Sequence, residues 1–352
     1  VLDLIEIDGS YGEGGGQILR TSVSLSALTM KPIRIAKIRA GRPKPGLKKQ
    51  HLSGIKLTGE LVDATIEGLK VGSTEISFIP KHRKSGSFNI DIGTAGSISL
   101  ILQAVLPPAV LAPEPITFQI RGGTDVKWSP PVDYLTKVFC PLVSRLGSKV
   151  EIEQKKRGHY PRGGGEVLCK VTPAKELNSL NMIEFGELSS VAGISHCVRL
   201  PSHVAERQAA AAEKVIREKL DVEANIETET YSKKDDAHLS PGSGIVLWAD
   251  SNNGARLGTD RLGEKGVRAE VVGTKAAEQL ILEVSRGRAI DSHLADMIVP
   301  YLAVAKGEST IGIAEITSHL ATNLWTIEQI LGTSSNLEGK IGESGLLKIT
   351  RD

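Results

Sequence analysis

Cysteine is scarce in this 352-residue sequence, and the three present, Cys140, Cys169 and Cys197, lie far apart with no C-x-x-C spacing. An odd, scattered set excludes a disulfide framework and gives no zinc pattern, so each is expected to be a small buried hydrophobe. Long apolar runs are missing too. The longest, I-L-Q-A-V-L-P-P-A-V-L-A at 101–112, contains a glutamine and two prolines and is too short to cross a bilayer. The stretch V-L-D-L-I-E-I-D-G at the start carries no basic head of the kind that begins a signal peptide. A cytoplasmic protein with no membrane partner is expected. A third absence is local: residues 31–50 contain Lys31, Arg34, Lys37, Arg39, Arg42, Lys44, Lys48 and Lys49 and no acid, although the whole chain carries a net charge of only +2. Such a strip is either a binding face for phosphates or a solvated surface.

The length favours about two domains, and the chain repeats itself. Residues 4–39 read as strand, glycine turn, apolar helix and strand, and residues 90–121 read the same way. Residues 293–316 supply the second half of that pattern a third time, and each copy then enters a second helix. Between the second and third copies, from about 184 to 275, the pattern changes to strand, amphipathic helix, strand, glycine-rich turn and strand. The expected organisation is a large domain made of 1–183 and 276–352, with a small α/β domain inserted at 184–275. His196 and His203 in the insert are expected to be structural.

Two local patterns carry chemistry. The turn G-E-G-G-G-Q-I-L-R, residues 12–20, lets backbone N–H groups converge on an anion at a helix start. It lacks the Gly-Lys-Ser/Thr ending of a P-loop, and Gln17 takes the last glycine place of G-x-G-x-x-G, so a plain tight turn is an equal alternative. Glu13 within it suggests a metal bridge or a sugar hydroxyl, with Arg20 one turn inside the helix. Near the other end, I-T-S-H-L-A-T-N-L-W sets His319 at the start of a helix. Alone, it is either a polar residue of the cap region or a chemical group.

The glycine turn, R-A-G-R-P-K-P-G-L-K-K-Q-H at 39–51, G-T-A-G-S at 93–97, R-G-G-T-D at 121–125, H-Y-P-R-G-G-G at 159–165, and the terminal H-L-A-D and S-H-L-A-T-N runs follow one another in order. Together they resemble the RNA 3'-terminal phosphate cyclases over almost the whole chain. The resemblance implies an α/β fold of repeated units around a pseudo-threefold axis, similar to enolpyruvyl transferases. It implies that His319 attacks the α-phosphate of ATP, that AMP then passes to an RNA 3'-phosphate, and that the neighbouring 2'-hydroxyl expels AMP to close a 2',3'-cyclic phosphate. ATP and a divalent metal (Mg or Mn) are the implied cofactors, and RNA with a 3'-phosphate end the implied partner. Gln103, His293, Leu294, Ala295, Asp296, Met297 and Glu13 are expected at the ATP; His293 stands where the family usually has tyrosine. Arg20, Arg39, Arg42, Gln50 and His51 are expected at the ATP phosphates and the RNA end. Glu13 and Asp296 are the candidate metal ligands, Asp296 alternatively orienting His319. Trp128, which follows R-G-G-T-D, is either a base-stacking or a packing residue. Two other classes are set aside. A non-catalytic cyclase-like protein would lack His319, and an enolpyruvyl transferase would need twice as many repeats.

Overall fold

Ile33 and Ile35 are buried while Arg34 and Ala36 are partly exposed, the alternation of a strand with one face on a core. The helix before it is different. Its residues Ile18 to Leu28 are buried nearly all round, as in a helix lying between other elements. These two patterns recur through the chain, whose residues 3–351 are described by a computed structural model.

The first unit runs β1 (Ile5–Asp8), α1 (Gly16–Thr29), β2 (Ile33–Ala36), α2 (Lys49–Leu61), β3 (Thr65–Glu67) and β4 (Ile76–Ile79). The second runs β5 (Gly86–Asp91), α3 (Ile98–Ala109), β6 (Ile116–Gly122), then α4 (Val132–Tyr134) and α5 (Cys140–Arg145) joined through a π-helical turn, Leu135–Phe139, and finally β7 (Lys149–Lys156) and β8 (Gly165–Thr172). The third opens with a two-residue strand, β9 (Asn181–Met182). An interruption follows: β10 (Leu188–Val198), α6 (His203–Leu220), β11 (Ala224–Glu229), β12 (Gly242–Ser251), β13 (Arg256–Leu262) and α7 (Ala269–Ser285). The third unit resumes with α8 (Ser292–Leu302), β14 (Gly307–Ile313), α9 (Ser318–Leu331), β15 (Ser335–Glu338) and β16 (Gly345–Arg351).

The three sheets are wired alike, with orders β1-β2-β4-β3, β5-β6-β8-β7 and β9-β14-β16-β15. In each, the first two strands are parallel and the closing hairpin is antiparallel. The parallel pair requires a crossover, which α1, α3 and, across the insertion, α8 provide. The first strand of each hairpin, β3, β7 or β15, is largely exposed with few apolar residues, which is why the sequence reading of each unit stops at its second helix. The fourth sheet, β11-β10-β12-β13, carries α6 packed on α7.

The helices meet one another. α1 packs on α3 and α9, α3 on α8, and α8 on α9, so residues from all three units converge where these four helices begin or cross. Cys140, Cys169 and Cys197 are buried and free; burial pushes the Cys169 thiol up to about 12. Among the described residues, no helix is long and apolar enough to cross a membrane.

Candidate functional site

Thr317 caps α9 by accepting the Leu320 N–H, which fixes the first turn and with it the side chain two residues on. That side chain is His319, about half exposed, with a carboxylate at each edge of its ring. Nδ1 lies 3.6 Å from Asp296 Oδ2, and Nε2 lies 3.3 Å from Glu13 Oε2. Asp296 is mostly buried and is itself held by the Thr317 hydroxyl at 2.6 Å. The carboxylate of Asp296, followed by that of Glu13, raises the His319 pKa above its ordinary value, although partial burial pulls the other way. Asp296 beside Nδ1 and Glu13 beside Nε2 both favour the protonated ring, and loss of the Nε2 proton frees that atom for chemistry. The carbonyl of His319 accepts from Gln17 Nε2 at 2.8 Å, and Asn323, one turn along α9, links the Asp296 carbonyl to Thr21 on α1.

Opposite Nε2 stands the glycine turn. Gly12 and Gly14 both have positive φ, and a side chain at Gly12 would strike the Thr322 hydroxyl of α9. Only glycine lets this turn lie so close to the histidine helix. Tyr11 stacks on Trp325 with ring centroids 4.0 Å apart, tying the turn to the same helix. Among the described residues, no side chain caps the start of α1, so its first N–H groups are open to an anion. A pocket of about 190 Å³ faces them, lined by Gly14, Gly15 and Gly16 with Arg20, Arg42, Gln50 and His51. Ser318 donates to Glu13, and this bond first, then His319, holds the Glu13 carboxyl below its usual range. Burial, Arg20, Arg39 and Lys48 push His51 down to about 4. Its Nδ1 accepts the Lys48 N–H at 3.1 Å, so in the neutral ring Nε2 carries the proton and faces Gly16.

A second cavity of about 370 Å³, large enough for a nucleotide, shares Gln17, Arg20, Leu100, Trp128 and His319 with the first. His319 therefore stands between a phosphate-sized pocket and a nucleotide-sized one. The deeper walls are Phe139, Pro300, Tyr301, Met297 and His293, with Asp260 among them. Burial raises the Asp260 carboxyl to about 6, opposed by His293. Burial also lowers the Arg20 guanidinium to about 10; its side chain reaches the Gln103 carbonyl oxygen at 3.5 Å.

The sequence expectations divide on this geometry. His319, Glu13, Asp296, Gln103, His293, Met297, Arg20, Arg42, Gln50 and His51 come together around the two cavities. Leu294 and Ala295 do not, because α8 turns them into the core, and only 293, 296, 297, 300 and 301 of that helix line the cavity. Arg39 does not either: it is buried, and its guanidinium donates to the carbonyls of Lys44 and Gly46 at 2.8 and 2.9 Å. Unforeseen members are Thr21, Ser24 and Asn323, of which the first two continue the stripe 17, 20, 21, 24 on α1, a helical spacing visible in the sequence. Asp260 arrives from the insert, and no sequence signal announces it.

Glu13 and Asp296 flank opposite edges of one ring and do not converge on a common point, and both oxygens of Asp296 are engaged by Thr317 and His319. Glu13, about half exposed beside the phosphate-sized pocket, fits a hard divalent ion that takes its other ligands from phosphates; Asp296 does not. Among the described residues, the one group of three close ligating side chains lies elsewhere. Asp125, His159 and His196 are buried where the second unit meets the insert, with the two imidazole Nε2 atoms 3.1 Å apart. His203, by contrast, is exposed at the start of α6.

A family description reading RNA 3'-terminal phosphate cyclase matches residues 11–337. A protein of that name from Methanopyrus kandleri is 55% identical over 99% of each chain. Proteins of the same name from Ignicoccus hospitalis and Staphylothermus marinus are 53% identical over 93% of each chain and 52% identical over 99% of this chain and 98% of theirs.

Proposed function

This chain belongs to the RNA 3'-terminal phosphate cyclase family and is an enzyme, and from that premise we propose that it converts an RNA 3'-phosphate to a 2',3'-cyclic phosphate at the expense of ATP. The observation that carries the reading is the placement of His319 Nε2 between a nucleotide-sized cavity and a phosphate-sized pocket, with Asp296 behind Nδ1.

In the first step Nε2 attacks the α-phosphorus of ATP, a P–N bond forms, and the bond to the pyrophosphate oxygen breaks. The Nδ1 proton stays on the ring, held by Asp296, which stabilises the positive charge that develops there. In the second step an oxygen of the RNA 3'-phosphate attacks the same phosphorus and the P–N bond breaks, returning neutral His319. In the third the ribose 2'-hydroxyl attacks the 3'-phosphorus, loses its proton and expels AMP; both groups share one ribose, so proximity supplies much of the rate. Arg20, Arg42, Gln50 and His51 surround the phosphates, and His51 serves as a neutral donor through Nε2. Gln103, His293 and Met297 line the nucleoside side. A divalent ion at Glu13 would neutralise phosphate charge. We read the three like-wired sheets as copies around a pseudo-threefold axis, similar to enolpyruvyl transferases, forming one large domain from the residues on either side of the insert. The insert is taken as 184–275 from the sequence pattern; its last helix, α7 (Ala269–Ser285), packs on α6, so we give 276–285 to the insert and resume the large domain after Ser285. A cytoplasmic location belongs to the same proposal.

The test is uptake of label from α-labelled ATP in the absence of RNA. The native chain should take up label through an acid-labile, base-stable bond, faster as pH rises through a value above 6.5, where His319 loses its proton. His319→Ala should reduce uptake at least a thousandfold, by roughly 4 kcal/mol or more. Label at the native level on that variant would refute the assignment.

A further inference from the structure

Among the described residues, Trp128 is the most exposed large apolar side chain, at 95%. Its backbone is left-handed, with φ 65°, a conformation that is strained for a bulky aromatic residue. Among the described residues, none covers the ring to offset either cost. The turn is nevertheless fixed on both sides. On one side Asp125 is buried against Arg157. On the other, Ser129 Oγ donates to the Val126 carbonyl at 3.1 Å, and Pro130 and Pro131 follow, narrowing the conformations open to Ser129. A strained, exposed aromatic residue on a braced turn is a surface kept ready for a ligand.

Its position says which ligand. Trp128 borders both cavities, beside Arg20 and His319. A chain whose terminal phosphate sits at the glycine turn carries its last base toward that ring. The nucleotide-sized cavity already has its own deeper walls in Phe139, Tyr301 and Met297, whereas Trp128 faces solvent, from which a polymer enters. We propose that Trp128 is the stacking platform for the terminal nucleobase of the RNA substrate. The platform is tolerant of sequence, because every base offers a π-face, and it selects nucleic-acid ends over free phosphate. The inference rests on the cyclisation proposed above and adds the residue that captures the acceptor.

The experiment compares the native chain with Trp128→Ala and Trp128→Phe in two reactions. One is adenylation from ATP without RNA; the other is cyclisation of a 3'-phosphorylated RNA whose last nucleotide carries a base or is abasic. Trp128→Ala should raise KM for the normal RNA roughly 5- to 100-fold, the range that base–aromatic stacking gives, and Trp128→Phe should recover most of it. On abasic RNA the native chain and Trp128→Ala should perform alike. A loss confined to KM for ATP in the RNA-free reaction would overturn the RNA assignment in favour of the adenine of ATP. No loss, or equal losses on normal and abasic RNA, would overturn stacking altogether. Failure of the native chain to take label from ATP would strike the adenylation reading instead. In that event, quenching of native tryptophan fluorescence by 3'-phosphorylated RNA, absent from Trp128→Phe, would still support the platform, and equal quenching in both would overturn it.

Discussion

Two clusters of charge are joined by the short loop from Asp125 to Pro131, and they are built on opposite terms. At the junction of the second unit with the insert, Arg157 is 1% exposed and spends every arm. It donates to Asp133 at 2.7 Å, to Glu229 at 2.6 and 2.9 Å, and to both oxygens of Asp125 at longer range. Burial alone would raise the Asp125 carboxyl, yet neighbouring His196 and Arg157 hold it well below the usual range. In the cleft, among the described residues, the side chain of Arg20 has only a 3.5 Å contact to Gln103, and that of Arg42 only a 3.6 Å approach to Glu13. Charges fully paired with one another fix the junction of two parts of the chain; charges left short of partners around an open pocket await a ligand.

The comparison breaks most visibly at Arg157. Arg157→Met would leave three buried or half-buried carboxylates without their cation and should cost about 3–5 kcal/mol of stability, read as a lower urea midpoint at unchanged slope. His319→Ala should leave that midpoint within about 0.5 kcal/mol, since the ring is half exposed. Similar losses in both variants would erase the distinction between a paired cluster and an open one.

Arg39 and Arg42 sharpen the contrast within one loop. Arg39→Ala removes two bonds to carbonyls and should cost about 1–3 kcal/mol of stability. Arg42→Ala should leave stability nearly unchanged and raise KM for the RNA end by about tenfold or more. Denaturation and steady-state kinetics on the two variants, run side by side, decide this; a purely kinetic defect in Arg39→Ala would move that residue into the cleft group.

Asp260 gives the smallest effect and carries a sign. Its pKa is raised from 3.8 to about 6, so between those values the folded chain holds a proton that the unfolded chain has released. Stability should therefore fall as pH climbs from about 4 to 6, and Asp260→Asn should remove that slope. The variant should gain about 1–2 kcal/mol at pH 7, measured as urea midpoints at pH 4 and pH 7. A midpoint that rises over this window in the native chain, with no change in its slope on substitution, would show that Asp260 is not the buried group in question.

The sequence by itself determined the strand–helix–strand stretches, the glycine turn and the histidine at the start of its helix. Each is a local statement: apolar spacing follows from helix and strand geometry, and a glycine run or a capping threonine needs only its neighbours. The tertiary structure decided what required distant parts to meet. It added β9 (Asn181–Met182) as the missing first strand of the third unit, which pairs with β14 from across the insert. It turned Leu294 and Ala295 into the core, sent Arg39 to its own loop carbonyls, and brought Asp260 from the insert into the cavity. It also set Glu13 and Asp296 at the two edges of His319, although the chain separates them by hundreds of residues. A residue's identity states which bonds it can make; which of them it makes depends on which way its helix faces and what the other units bring to meet it.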